Sequence, residues 1–285
     1  MAARLPTEQR ADEAASDPLR REVLLAGCGL QAFEQLAATG STMDRAREWA
    51  ADPAALLPVV IVADRQTAGR GRRQAGWWQA PGSLAMSLVL EAAAVPGGSG
   101  PRPSWSLACG VALAEAVAAL EPELVPRVRW PNDVEVQGRK LAGILVETVA
   151  GSRLIFGIGV NTSGSSRQAP DGLQKRLITL PDLTGRVLPR EVLLLEFVPR
   201  FLRLLADVEQ DPAVLWQRYQ PLCALTGQDV VVHQADGRKL RGRCQGIASD
   251  GSLVLDTVAG RLHLLSGSLT DPADVWRDDQ STATT

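Results

Sequence analysis

Residues 59–73 read VVIVADRQTAGRGRR, and this stretch decides how the chain folds. The apolar, mostly β-branched run 59–63 predicts a buried strand. The glycine-arginine tract 69–73 follows as the loop that leaves this strand. Glycine allows positive φ and a close approach of backbone to a ligand, and arginine supplies planar, permanently charged donors suited to carboxylate or phosphate. The stretch therefore predicts an anion-binding loop at the end of a core strand.

Other interpretations of the tract can be compared with this one. A disordered RNA-binding segment repeats its arginines and glycines many times, whereas this tract occurs once, beside a core strand. A phosphate-binding P-loop needs Gly-x-x-x-x-Gly-Lys-Ser/Thr, which the chain lacks. A surface turn with solvated charges stays open as an alternative. Gln66 adds a neutral hydrogen-bonding group at the end of the strand, which favours a binding loop.

A second motif begins with the quartet WPND at residues 130–133 and continues from Lys140 to Gly143. A lysine at the start of an apolar strand can neutralise the charge that builds on a carboxylate and an α-phosphate as they react. Asp133 can orient that lysine or hold magnesium, which prefers carboxylate oxygen. The plainer interpretation is a surface lysine after a rigid turn with a packed indole ring.

Two shorter segments have both a structural and a functional interpretation. Ser41 and Thr42, with Asp44 following, fit a capping box that opens a helix. The same helix N-terminus can hold a substrate carbonyl or an anion. The segment GIGVN at residues 157–161 is superficially similar to a dinucleotide fingerprint, but it lacks the third glycine and the following helix.

Composition restricts the class of protein. A chain of 285 residues can form one large domain and a small one, and 45% apolar with 22% charged residues is ordinary for a soluble enzyme. The net charge of −2 gives no broad electrostatic footprint for nucleic acid or an anionic membrane. Both histidines lie beyond residue 230, which argues against a Ser-His-Asp triad or a histidine zinc site in the main domain.

Cysteine usage and hydropathy predict a cytoplasmic location. The four cysteines are scattered without paired spacing, which indicates reduced thiols. The most apolar long stretch, 187–208, is interrupted by charged residues and predicts a helix of a soluble domain, not a membrane span.

The order of predicted elements indicates an α+β fold with helices on a mostly antiparallel mixed sheet. After residue 221, short strand-like runs separated by Asp-Gly turns predict a small β-barrel. We therefore predict a mobile tail (1–20), a main domain (21–221), a small barrel (222–272) and a second tail (273–285). The predicted helices are 42–51, 105–120 and 187–208, the predicted strands are 59–63, 83–91, 134–136, 141–149, 154–160, 230–232, 241–247, 253–256 and 261–265, and a surface loop is predicted at 96–101.

Taken in order, these segments resemble the biotin–protein ligase family. Residues 66–73 with Trp77 are similar to the family's substrate loop, and 129–133 with 140–147 are similar to its second signature. The segments 157–161 and 41–42 match two further family segments, so that the resemblance covers about residues 33–269. It implies a class II synthetase-like catalytic domain followed by a small SH3-like β-barrel. The N-terminal region is too short and too poorly patterned for a helix-turn-helix domain, so we expect no repressor activity and no nucleic-acid partner.

The resemblance implies an ATP-dependent ligase that joins biotin to ATP and passes the biotinyl group of biotinyl-5′-AMP to a lysine on a carboxylase's biotin carboxyl carrier domain. Magnesium would accompany ATP, with Asp133 as the candidate metal ligand. The implied catalytic residues are Lys140, Arg70 and Arg72. The implied biotin-binding residues are Ser41, Thr42, Met43, Gln66, Gly69, Arg70, Gly71, Arg72, Lys140 and Gly143. The implied ATP- or adenylate-binding residues are Arg72, Arg73, Trp77, Asn132, Asp133, Lys140 and Asn161.

The chain departs from the family pattern at three positions. Met43 stands where the family commonly has asparagine, Gln74 where a glycine follows the arginine pair, and Ser268 where a glutamate is common in the barrel. A lipoate or octanoate ligase or transferase is the nearest alternative function. A non-catalytic ligand- or RNA-binding module is a more distant one, disfavoured by near-neutral charge and sparse aromatics. The chain is expected to be a monomer or a homodimer.

Overall fold

The computed structural model describes residues 19–91, 102–149 and 153–270. The predicted loop at 96–101, the predicted tail at 273–285 and nearly all of the predicted tail at 1–20 lie outside the described residues. In chain order the helices and strands are α1 (Arg21–Cys28), β1 (Ala32–Thr39), α2 (Thr42–Ala51), β2 (Val59–Gln66), β3 (Leu84–Glu91), α3 (Pro103–Leu120), β4 (Arg127–Arg129), β5 (Asp133–Val136), β6 (Arg139–Val149), β7 (Arg153–Val160), α4 (Asp171–Gln174), α5 (Leu180–Thr184), α6 (Arg190–Gln210), α7 (Ala213–Tyr219), β8 (Asp229–His233), β9 (Lys239–Ile247), β10 (Leu253–Thr257), β11 (Gly260–Leu264) and β12 (Ser268–Leu269).

The described chain divides into two compact units, and the first comprises residues 19–91 and 136–200 without 150–152. Its strands follow the order β1-β2-β3-β7-β6. β1 and β2 are parallel and are connected through α2, whereas every other pair is antiparallel. The prediction of an α+β fold with a mostly antiparallel mixed sheet is therefore confirmed.

The centre of this sheet is buried on both faces. Residues 59–63 of β2 and 84–90 of β3 are all buried. Each of these strands has a neighbouring strand on either side and side chains packed above and below it. On one face α2 inserts Met43, Ala46 and Ala50 into a core that includes Ile61 and Ile155. Small side chains on β3, such as Ser87, let this helix approach the sheet closely.

A buried arginine at the start of β7 holds the C-terminal end of α2. Arg153 is 8% exposed and donates from its guanidinium to the carbonyl oxygens of Trp49, Ala50 and Asp52. The last carbonyl groups of a helix lack the partners that a continuing helix would supply. Arg153 adds a donor to them beside the backbone N–H groups of Asp52 and Ala55, which bond to the carbonyls of Trp49 and Asp52. Because α2 is fixed at this end, the position of its N-terminus is also fixed against the sheet.

The second compact unit comprises residues 102–135 and 201–270. It contains the five-stranded antiparallel sheet β11-β10-β9-β8-β12. The predicted strands after residue 221 are confirmed, but the predicted barrel is wrong, because the pairing order has two edges and does not close. β12 has only two residues and pairs with β8. The strand periodicity that predicted a barrel is the same in an open sheet and a closed one.

Trp130 is a structural residue of this second unit. Its indole is 1% exposed and donates from Nε1 to the carbonyl oxygen of Gly251 at 3.2 Å. Gly251 has a φ of 83°, and a Cβ built on it would lie 2.7 Å from the backbone nitrogen of Ser104. The small sheet therefore packs through a glycine turn against the start of α3, and the plain interpretation of Trp130 as a packed ring is confirmed.

Within the described residues, α3 is a helix that is long and apolar enough to cross a membrane. However, 67% of its 18-residue span is buried inside the protein. A helix of a protein core passes the same test of length and composition. All four cysteines are free and buried, as predicted.

Candidate active site

The N-terminus of α2 forms one wall of the candidate site. Ser41 is the N-cap, and its Oγ accepts from the backbone N–H of Met43 at 3.3 Å. Gln66 Oε1 accepts from the backbone N–H of Thr42 at 2.8 Å, and Ser87 Oγ donates to Thr42 Oγ1 at 2.8 Å. Ser41 and Thr42 are 1% and 2% exposed. Ser41 is therefore an N-cap, but the predicted capping box is wrong, because its Oγ accepts from Met43 and the Asp44 carboxylate pairs with arginines. The side chain of Gln66 ties this cap to the end of β2.

The glycine-arginine loop leaves β2 after Gln66 and folds back on itself. Trp77 donates from its backbone N–H to the carbonyl of Gly69 at 2.9 Å, and Gly71 donates in the same way to Ala75 at 2.7 Å. At the tip, residues 72–74 form one turn of 3-10 helix in which Arg73 has a φ of 54°. The left-handed conformation that favours glycine therefore falls on Arg73, one residue before Gln74.

Arg70 is oriented by the first turn of α2. Its guanidinium forms an ion pair with Asp44, which also pairs with Arg47, and Arg47 in turn binds both carboxylate oxygens of Glu147 at 2.8 Å. The hydrogen bond from Arg70 is the largest cause that lowers the pKa of Asp44, and the charges of Arg70 and Arg47 add to it against the effect of burial. Asp44 thus fixes the base of the arginine loop to α2.

We predict that Asp44→Asn lowers stability at neutral pH by about 1 kcal/mol or less, because exposed ion pairs are worth little. The pKa of Asp44 is lowered in the folded state, so its contribution is complete above the ordinary carboxyl pKa and is lost as pH falls through the lowered value. Denaturant unfolding of both proteins between pH 7 and pH 2 should show the difference shrinking in acid. A difference that stays constant across this range would contradict the assignment.

Two paired glycines form the floor beneath Trp77. Gly143 of β6 and Gly159 of β7 are direct partners in the ladder. A Cβ built on Gly159 would lie 2.3 Å from Cε2 of Trp77, and one on Gly143 would lie 3.2 Å from Cζ3 of the same ring. The indole therefore lies directly on bare backbone. Its Nε1 has no hydrogen-bond partner in the described part of the chain, so packing on the glycines sets the position of the ring.

Lys140 lies at the rim of this glycine floor. Its Nζ is 5.6 Å from the centre of the Trp77 ring and would be 3.0 Å from a Cβ on Gly143. Its backbone donates to the carbonyl of Arg176 at 2.8 Å and accepts from the N–H of Ile178 at 2.9 Å. Both backbone groups of Lys140 are therefore bonded to the segment 176–178, while the long side chain reaches over the floor toward the indole ring.

Asn161 and Met43 are more deeply embedded than the resemblance implies for ligand-binding residues. Asn161 is 1% exposed and donates from Nδ2 to the carbonyl of Ile178 at 2.9 Å, which ties the end of β7 to the segment beside Lys140. Its Oδ1 is buried and has no partner among the residues described. Met43 is 2% exposed, and a Cβ on Gly157 would lie 2.5 Å from its Sδ. Both side chains are therefore buried and support the residues that line the site.

The first unit brings together most of the predicted site residues. These are Ser41, Thr42, Met43, Gln66, Gly69, Arg70, Gly71, Arg72, Arg73, Trp77, Lys140, Gly143 and Asn161. Asn132 and Asp133 belong to the second unit, where they lie in the turn that joins β4 to β5 and at the first residue of β5. Their roles toward ATP and magnesium stay predictions. No cluster of three His, Cys, Asp or Glu side chains able to hold a metal occurs in residues 19–91, 102–149 and 153–270.

Sequence analysis does not identify three residues that position other residues of the site. Asp44 was interpreted only as a member of a helix cap. Ser87 appeared only inside a predicted strand, and Gln79 had no assignment at all. Only the pairing of distant segments reveals them, since each acts on a residue of another segment.

Comparison with known proteins supports one family. Residues 37–162 match the model of the biotin/lipoate A/B protein ligase family. The chain is 33% identical over 261 residues to the biotin–[acetyl-CoA-carboxylase] ligase of Mycobacterium tuberculosis, covering 87% of this chain and 91% of that one. It is 30% identical to the ligase of the same name from Paracoccus denitrificans, covering 70% and 85%. A solved structure of the biotin protein ligase from Aquifex aeolicus in complex with biotin and ATP aligns with a TM-score of 0.72 at 27% identity, covering 84% and 98%.

The fold and the site thus define a ligase of the class that modifies proteins with biotin or lipoate. The chain belongs to the biotin/lipoate A/B protein ligase family.

Proposed function

We propose that the protein is a biotin–protein ligase. It joins biotin to ATP to give biotinyl-5′-adenylate and pyrophosphate, and it then transfers the biotinyl group to a lysine of a carrier protein. The observation that carries the proposal is the position of Lys140. Its side chain lies over the glycine floor and faces the indole ring of Trp77, which follows the arginine loop. Relatives at 33% and 30% identity are named for the same activity.

The chemistry of the first step matches what the site offers. A carboxylate oxygen of biotin attacks the α-phosphorus of ATP, and pyrophosphate leaves. Negative charge builds on the α-phosphate during this attack, and a fixed cation lowers its free energy most where water is excluded. Lys140 supplies such a cation from a residue whose backbone N–H and carbonyl are both bonded to the segment 176–178, and Arg72 is proposed to act beside it.

The second step transfers an acyl group. The amine of the carrier lysine attacks the carbonyl carbon of the mixed anhydride, the bond to the phosphate oxygen breaks, and AMP leaves as the amine loses its proton. Water competes for the same carbonyl, so the anhydride has to be covered until the carrier arrives. We propose that the arginine loop covers it, a role supported by the attachment of the loop to α2 through Arg70 and Asp44.

ATP is the nucleotide substrate, and magnesium is expected to enter with it. Asp133 would contribute a carboxylate oxygen, the kind of ligand that magnesium prefers. The carrier is proposed to be the biotin carboxyl carrier domain of a carboxylase, in line with the names of the relatives. We further propose a cytoplasmic enzyme that works as a monomer or a homodimer.

Lipoate or octanoate attachment is the second candidate, because the family model covers lipoate as well as biotin enzymes. The test is to incubate the protein with ATP, magnesium, a carrier domain and either biotin, lipoate or octanoate, and to weigh the carrier by mass spectrometry. We expect the mass of a biotinyl group on one lysine. Transfer of octanoate or lipoate without transfer of biotin would overturn the proposal.

A further inference from the structure

We infer that Gln79 is a positioning residue that holds the base of the glycine-arginine loop in its ligand-ready arrangement. The inference rests on the proposed function and adds to it a residue that touches neither the reacting atoms nor the arginines. Gln79 lies where the loop returns to the sheet, and its half-buried side chain crosses back to the strand from which the loop departs.

The amide of Gln79 bonds to β2 as a neighbouring peptide would. Its Oε1 accepts from the backbone N–H of Gln66 at 2.9 Å, and its Nε2 donates to the carbonyl of Asp64 at 3.1 Å. A residue of a parallel strand uses its own N–H and C=O in this pattern: it donates to the carbonyl before its partner residue and accepts from the N–H after it. The backbone ladder between β2 and β3 ends at Ala63, so the side chain continues the pairing where backbone pairing stops.

The same amide also reaches the far side of the loop base. Nε2 donates to the carbonyl of Ser83 at 3.2 Å, and Ser83 Oγ donates to the carbonyl of Ser163 at 3.1 Å. Ser163 follows Asn161, at the end of the strand that carries the glycine floor. Gln79 therefore connects the start of the loop, the end of the loop and the segment behind the floor.

Gln66 connects Gln79 to the N-terminus of α2, which forms one wall of the candidate site. Its backbone N–H is held by Gln79 while its side-chain Oε1 accepts from the N–H of Thr42 at 2.8 Å. If Gln79 is lost, the last residue of β2 can shift, and with it the hydrogen bond to the N-terminus of α2. The loop then occupies its ligand-ready arrangement for a smaller fraction of the time, and apparent affinity falls by that fraction while the rate at saturation is retained.

The test uses Gln79→Leu and Gln79→Glu in the full chain, with Gln174→Leu as the matched control. Gln174 also donates from Nε2 to backbone carbonyls, those of Arg167 and Ala169, but it lies away from the loop. Leucine removes both the hydrogen-bond acceptor Oε1 and the hydrogen-bond donor Nε2. Glutamate keeps the acceptor for Gln66 but places a carboxylate against two carbonyl oxygens, so it should be no better than leucine.

The first measurement needs no ligand and no activity. Trypsin cleaves after arginine, and the loop offers three sites in residues 70–73. We expect trypsin to cleave the ligand-free Gln79 variants within 70–73 about tenfold faster than wild type. Each lost hydrogen bond raises the equilibrium constant for opening of the loop by roughly a factor of ten or less. Cleavage in Gln174→Leu should match wild type, and thermal unfolding verifies that each variant is folded. Equal cleavage rates in wild type and both folded Gln79 variants would overturn the inference.

The second measurement is the rate of pyrophosphate release against biotin concentration. For both Gln79 variants we expect KM for biotin to rise about tenfold and kcat to stay within about twofold. A fall in kcat without a rise in KM, or the same change in Gln174→Leu, would show a general structural role and overturn the inference. If wild type itself fails to form biotinyl-adenylate, the proposed function fails, while the trypsin result still decides the role of Gln79 in the loop.

Discussion

Replacing Lys140 with alanine is expected to lower the rate of biotinyl-adenylate formation by about 10²–10³-fold, the usual loss when one donor to a developing oxyanion is removed. The ammonium group lies over the paired glycines and 5.6 Å from the Trp77 ring centre. Its backbone N–H and carbonyl are both bonded to the segment 176–178, so the substitution removes the cation without breaking these backbone hydrogen bonds. The measurement is pyrophosphate release at saturating biotin and ATP.

Two further observations make this result specific. Lys175→Ala removes an exposed lysine at the end of α4 and should leave the rate unchanged. Thermal unfolding of Lys140→Ala should lie close to that of wild type, because the change leaves the backbone hydrogen bonds of residue 140 in place. Near-normal pyrophosphate release by Lys140→Ala would refute the role assigned to this residue.

The second large effect is expected from Gly159→Ala. The new methyl group would lie 2.3 Å from Cε2 of Trp77, and the strand cannot shift away because it is paired on both sides. The indole must therefore leave the floor. Overpacking of this kind costs about 1–3 kcal/mol, which corresponds to roughly 5–150-fold weaker binding if the ring holds the same place when ligands are bound. Isothermal titration with biotin and with ATP measures the loss.

A double-mutant cycle separates the steric effect from a general loss of stability. In the background Trp77→Ala, the added methyl group meets no ring, so Gly159→Ala should cause little further loss of affinity. Gly172→Ala is the matched control, since no atom lies within 4 Å of its built Cβ. Equal effects of Gly159→Ala with and without the indole would show that the glycine is needed for some other reason.

The central strands and the long helices could be predicted because their sequences favour one structure on their own. The β-branched run of β2 is buried on both faces, and α3 is long and almost uniformly apolar. α1 and β1 were not predicted. β1 is an edge strand with half-exposed side chains and a mixed composition, and its pairing with β2 depends on the α2 crossover, which no local pattern in residues 32–39 signals.

The residue types of the site could be predicted, but their pairings could not. The motifs of the sequence place Gly143 and Gly159 in separate strands, whereas the register of β6 and β7 makes them direct partners. The role of Arg70 toward an anion stays a prediction, whereas its ion pair with Asp44 is visible only in the structure. Such contacts depend on three-dimensional register and on the free-energy balance between nearby charges, neither of which is encoded in the spacing of motifs along the chain.

Arg73 adopts a left-handed backbone conformation and also carries a positive charge at the tip of the loop. A side chain with a Cβ pays about 1–2 kcal/mol for this backbone conformation, whereas glycine would adopt it freely. Glycine, however, would carry no positive charge to the tip of the loop. The tip is therefore held in a conformation that its own residue disfavours, and an extended alternative at Arg73 lies correspondingly closer in free energy. Arg73 thus carries a positive charge at the tip of the loop at a conformational cost of about 1–2 kcal/mol, and replacing it with glycine would remove the charge and that cost together.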